Sequence, residues 1–172
     1  MRPSGIVITL GMMLLAGVVA RADKVTSDYD HEVNFSQYKT FMWIQKPKCE
    51  EPFMAERIVS VINAQLKVKG LSEVTEGADM AVGANFATEE QHEWETYYTG
   101  SGWGWDGGWS TTKVKTYEVG TLTVDLFDAK RKTLAWQGVA IDELSTHPRK
   151  RDREIGKEIE KMFKVFPPGT AE

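Results

Sequence analysis

Apolar residues recur along the chain in two rhythms, one of period two and one of period near 3.6, which divide it into strands and helices. The clearest strand runs from Gly120 to Asp128, with Leu122, Val124 and Leu126 facing a core and Thr121, Thr123 and Asp125 facing out. The charged turn Asp128–Lys132 leads into its hairpin partner, Thr133–Ala140. Met80, Val82, Ala84 and Phe86 alternate with Ala81, Gly83, Asn85 and Ala87, a second strand over Asp79–Ala87. Thr40–Ile44 is a compact β-type run ended by Pro47, and Lys24–Asp30 reads as extended. Asn34–Tyr38 reads as a turn, and Thr111–Val119 resumes strand-like alternation.

The helical rhythm occurs twice. After Pro52, Ile58, Ile62 and Leu66 fall on one face, flanked by Ala55 and Val59, and Gly70 supplies a C-terminal stop. After Pro148, Ile155, Ile159, Met162, Phe163 and Phe166 form one stripe, opposite a wet face of Arg149, Lys150, Arg151, Glu154, Lys157, Glu158 and Lys161. Two striped helices and about five or six strands predict an α+β domain. The expected arrangement is a mainly antiparallel sheet with both amphipathic helices packed on one face.

The first 22 residues stand apart from this pattern. One cation, Arg2, precedes the uncharged run Ile6–Val19, and Ala20-Arg21-Ala22 ends it with small residues where a signal peptidase cuts. The run is short for a membrane span, which needs about 20 residues. Residues 1–22 are therefore expected to be a cleaved export signal, and residues 23–172 a single domain. Leu15-Ala16-Gly17 resembles the approach to an acylated cysteine, but Val18 stands where the thiol would be. No lipid anchor is expected, and the mature chain belongs in the periplasm or outside the cell.

Charge narrows the partners. Without Arg2 and Arg21, 19 basic residues face 25 acidic ones, a formal charge of −6. That balance disfavours nucleic acid, whose affinity for proteins comes largely from a basic footprint. The lone Cys49 excludes an internal disulfide, leaving a buried thiol or an intermolecular bond.

Several stretches together resemble the domain-of-unknown-function family 4136. They are Asp28-Tyr29-Asp30 with Phe35–Trp43, Gly77–Val82, the hairpin Gly120–Leu126 with Leu134–Ala140, and the closing Met162-Phe163 and Phe166-Pro167-Pro168. The resemblance spans roughly Lys24 to Gly169. It implies a bacterial envelope protein, often a lipoprotein, and it implies no activity, cofactor or catalytic residue.

The segment Glu89–Ser110 fits neither rhythm. Tyr97, Tyr98, Trp103, Trp105 and Trp109 sit there among five glycines. Such rings suit the faces of a glycan or the groove of an envelope protein, and these five are the candidate binding residues. The bland alternative is a hairpin tip folded onto its own domain, or a disordered loop. Glu89, Glu90, His92, Glu93 and Glu95 crowd acid around one imidazole, but Thr96 stands where a zinc helix needs its second histidine. A solvated strand edge that resists association accounts for them. The serines lack a nucleophile elbow. No catalytic residue, metal site or cofactor is expected. The leading reading is a non-enzymatic envelope domain that binds or scaffolds a partner. The alternative is a hydrolase of cell-wall or glycan substrates using carboxylates near the tryptophan segment.

Overall fold

The computed structural model describes residues 24–99 and 109–168. The expected export signal lies outside them. Six strands and two α-helices follow in the order β1 (Val25–Tyr29), β2 (Thr40–Gln45), α1 (Pro52–Val68), β3 (Ser72–Glu73), β4 (Met80–Thr99), β5 (Trp109–Asp128), β6 (Thr133–Glu143) and α2 (Pro148–Lys164), with one 3-10 turn, Phe35–Gln37, between β1 and β2. The strands form one sheet in the order β1-β6-β5-β4-β2-β3. No helix of the described residues is long and apolar enough to cross a membrane.

The helices form where the sequence places them, but Arg151 and Glu158, expected on the wet face of α2, are buried, their charges answered by Glu51 and by Lys161. Each carries Pro in its first turn, a position where the missing N–H leaves nothing unsatisfied. α1 stops at Gly70, whose φ of +87° suits glycine, and Leu71 N–H donates to Leu66 C=O at 3.0 Å to close the end. Met54, Ile58, Ile62 and Leu66 of α1 belong to one buried cluster with Ile159, Met162 and Phe163 of α2. Phe41, Met80, Val82, Leu126 and Trp136 supply the sheet's share of that cluster.

The fold is α+β, but the sheet is mixed rather than mainly antiparallel. β1–β6, β6–β5 and β5–β4 pair antiparallel, whereas β2 pairs parallel with both β4 and β3. The cause is the order strand, helix, strand. α1 carries the chain from the end of β2 back past its start, so β3 and β4 set out in the same direction as β2. Parallel partners need such a crossover, and the sequence order β2-α1-β4 contains one.

Two aspartates fasten this mixed corner. Asp79, just before β4, accepts at Oδ2 from Lys39 N–H (3.0 Å), Thr40 N–H (3.1 Å) and Thr40 Oγ1 (3.0 Å). Asp128, at the end of β5, is buried and accepts from Lys130 N–H, Arg131 N–H and the Tyr38 hydroxyl at 2.8–2.9 Å. The backbone N–H of Lys39 is the main cause holding the Asp79 carboxyl below its ordinary value. That of Arg131 does the same for Asp128. Burial, then the bond to Asp128, pushes the Tyr38 phenol up to about 12.

Candidate functional site

β4 and β5 are each 20 residues long, far beyond the five or six residues of an ordinary strand. Their lower rungs lie inside the sheet. β2 accompanies β4 only as far as Gly83, and β6 accompanies β5 from Asp128 to Val119. Above that, the rungs from Glu90↔Glu118 to Thr99↔Trp109 have no third strand among the described residues. At about 3.3 Å per residue these ten rungs make a two-stranded ribbon of roughly 33 Å.

The register gives the ribbon two unlike faces. One carries Glu90/Glu118, His92/Thr116, Trp94/Val114 and Thr96/Thr112 as opposed pairs. It continues the face of Phe86 and Leu122, which are buried lower down. Here Trp94 is 71% exposed and its partner Val114 49% exposed. The polar residues on either side of them hold the ribbon: His92 Nδ1 lies 3.0 Å from Thr116 Oγ1, and the Thr96 and Thr112 hydroxyls are 3.3 Å apart. The other face carries Gln91/Tyr117, Glu93/Lys115 and Glu95/Lys113. The Tyr117 hydroxyl donates to Gln91 at 3.3 Å, and Lys115 also reaches Glu143 at 3.9 Å.

The sequence-predicted residues lie at the far end of this arm. Tyr97 pairs with Thr111, Tyr98 with Ser110 and Trp109 with Thr99, so three of the five are brought to its last rungs. Tyr97 and Tyr98 occupy consecutive, hence alternating, positions of β4. Trp103 and Trp105 lie outside the described residues. Trp94 and Val114 are the aromatic–aliphatic pair that sequence reasoning missed. They lie 20 residues apart, and no local signal announces their meeting.

At the ribbon's root, its Trp94-bearing face turns into a groove of about 620 Å³ against the segment leading into α2. Glu90, Thr116, Glu118, Leu144, Thr146 and His147 line it. The facing carboxylates of Glu90 and Glu118 are the nearest approach to a catalytic pair here. A glycosidase acid is kept protonated by burial, yet the Glu90 side chain is 63% exposed and lies 3.9 Å from His92 Nε2. Burial pushes the half-buried Cys49 thiol up, and the charge of Glu51 adds to it, the reverse of what activates a nucleophile. Among the described residues no group of three or more His, Cys, Asp or Glu could hold a metal ion.

A family model described as a domain of unknown function, DUF4136, matches residues 25–168. None of the curated proteins matches the chain. Among solved structures, a PDZ domain protein from Parabacteroides distasonis superposes with a TM-score of 0.57 at 14% identity. That match covers 86% of this chain and 36% of the other, so this chain spans about a third of its length. A PelC dodecamer from Paraburkholderia phytofirmans gives 0.47 at 14% identity, over 80% of this chain and 94% of that one.

Proposed function

The chain belongs to the DUF4136 family, and from that premise we propose that it is an exported, non-enzymatic envelope domain that holds a partner on its β4–β5 ribbon. The observation that carries this reading is the exposed Trp94–Val114 pair on an arm without a third strand. A tryptophan 71% exposed on a strand is a large apolar area left in water, and such anchors release free energy when a partner covers them. In this reading Tyr97, Tyr98 and Trp109, on the last rungs of the same arm, add contacts from both of its faces, and Trp103 and Trp105 belong to the same binding segment; an envelope protein or a glycan is the partner class. Export rests on the apolar run Ile6–Val19 and on Ala20-Arg21-Ala22, with periplasmic or secreted residence the outcome.

The test is capture. The chain, immobilised after export, is exposed to an envelope extract of its own cell and to a glycan array. The wild type is expected to retain a component that Trp94→Ala/Val114→Thr loses, with an unchanged unfolding midpoint because both residues are exposed. Equal capture by the two forms, or capture by neither, would refute the arm as the binding surface.

A second reading, hydrolysis of a cell-wall or glycan substrate, has the Glu90–Glu118 pair in the groove behind it. Turnover of a cell-wall oligosaccharide that disappears in both Glu90→Gln and Glu118→Gln would move the assignment there.

A further inference from the structure

We propose that the two edges of the ribbon pair between copies of this chain, the β4 edge of one copy against the β5 edge of the next. In an antiparallel pair, alternate backbone N–H and C=O groups of each strand point away from the partner strand. From Glu90 outward on β4, and from Tyr117 outward on β5, no strand among the described residues takes these groups. A two-stranded ribbon is marginal in water, and further strands on its flanks are the direct remedy.

Charge decides which edges meet. The β4 side of the ribbon carries Glu90, Glu93 and Glu95, preceded by Glu89, and the β5 side carries Lys113 and Lys115, with one carboxylate, Glu118, at its root. Two β4 edges would set carboxylates against carboxylates, and two β5 edges would set lysines against lysines, arrangements that destabilise a ladder. The β4 edge against a neighbour's β5 edge repeats the alignment already present inside the ribbon, two opposed pairs, Glu93 with Lys115 and Glu95 with Lys113, against one like pair, Glu90 with Glu118, at the root. The direction is also satisfied. A copy placed alongside in the same orientation presents β5 antiparallel to β4, so the order β5-β4-β5-β4 continues without reversal. Trp94 and Val114 then alternate across successive copies as one apolar stripe. A contact between unlike edges is heterologous, so it closes into a ring or runs on as a filament. The acidic edge blocks pairing with its like and selects the basic one. This inference uses the ribbon's edges rather than its Trp94 face, and it does not rest on the partner reading above.

Sedimentation velocity and native mass measurement of the exported chain test it. The wild type is expected at a multiple of the monomer mass, with association weakening as salt rises. Glu89→Lys/Glu93→Lys/Glu95→Lys is expected as a monomer, and so is Lys113→Glu/Lys115→Glu. An equal mixture of the two is expected to regain the higher mass, since positions 93 and 95 of each variant again oppose unlike charges at positions 115 and 113 of the other. Trp94→Ala removes one cross-strand contact with the neighbour's Val114 and is expected to weaken the assembly far less than either charge reversal while it loses partner capture, which separates the two readings. A wild type that stays monomeric over a wide concentration range overturns the proposal without recourse to any variant. So does an assembly that survives both charge reversals, or one unaffected by salt.

Discussion

Trp136→Ala is expected to destabilise the fold by about 3–5 kcal/mol, the range for emptying a large aromatic site in a core that cannot fully collapse. Trp136 is wholly buried, and its register places it between Leu126 on β5 and Tyr29 on β1. Its ring centroid lies 5.2 Å from that of Phe163 and 5.4 Å from that of Phe166, and those two are 5.9 Å apart. Removing the indole therefore takes one side from each phenylalanine and loosens both α2 and the segment after it. Trp136→Phe should lose much less. The indole Nε1 is buried without a hydrogen-bond partner, so phenylalanine also removes an unsatisfied donor. Two residues on, a Cβ at Gly138 would lie 2.4 Å from Met162 Cγ and 2.5 Å from both Met162 Sδ and Trp136 Cη2. Gly138→Ala is accordingly expected to destabilise by about 1–3 kcal/mol through overpacking. Urea unfolding at constant m-value measures all three. A loss below about 1 kcal/mol for Trp136→Ala would mean that α2 does not depend on the indole it packs against.

Those two residues show what the sequence made legible and why. Leu134-Ala135-Trp136-Gln137-Gly138 marks the family and the hairpin as a string of letters, and the strand reading stands in the register from Asp128↔Thr133 to Leu122↔Ala140. The letters do not say that the glycine exists to seat Met162, because that contact joins a strand to a helix many residues later. The helices were legible throughout: Ile58, Ile62 and Leu66 repeat at the helical period, and all three are buried. The parallel half of the sheet was present in the order of elements but was masked by the prominent β5–β6 hairpin. The ribbon was hidden for a different reason. Period-two alternation of apolar residues reports burial on one face, and above Thr88 neither face is buried. His92, Trp94 and Thr96 still alternate with Gln91, Glu93 and Glu95, but in residue types that read as a solvated edge. The aromatic cluster drew attention to the arm's far end, while the meeting of Trp94 with Val114 depends on a register fixed by the whole hairpin.

Stability is expected to stay level across the neutral range and to fall away at both ends of the pH scale, with the corner between β2, β4 and β5 as the cause. Asp79 and Asp128 have folded values below the ordinary 3.8, so unfolding takes up protons in acid. Their contribution is fully present above the unfolded value and is lost as pH falls through the lower folded values. Tyr38 has the opposite sense. Its phenol rises from 10.0 to about 12, so the unfolded chain gives up that proton first. Its contribution is complete below about pH 10 and disappears as pH climbs toward 12. The two limbs are coupled by the 2.9 Å bond from the Tyr38 hydroxyl to Asp128 Oδ2. Tyr38→Phe should therefore shrink the alkaline limb, which the raised Cys49 and Lys24 still share, and also shift the acid limb upward, since Asp128 loses a donor that favours its ionised form. Asp128→Ala should destabilise by about 1–3 kcal/mol at neutral pH by leaving Lys130 N–H, Arg131 N–H and the buried hydroxyl without their acceptor. Asp79→Asn should flatten the acid limb without touching the alkaline one, because Asp79 bonds Lys39 and Thr40 and not Tyr38. Chemical unfolding midpoints measured from acid to alkaline pH read all of these changes. If Tyr38→Phe moved only the alkaline limb, the bond to Asp128 would carry no weight in holding the corner, and the parallel strand β2 would have to be fastened to the β4–β5 hairpin by Asp79 and the core beneath it.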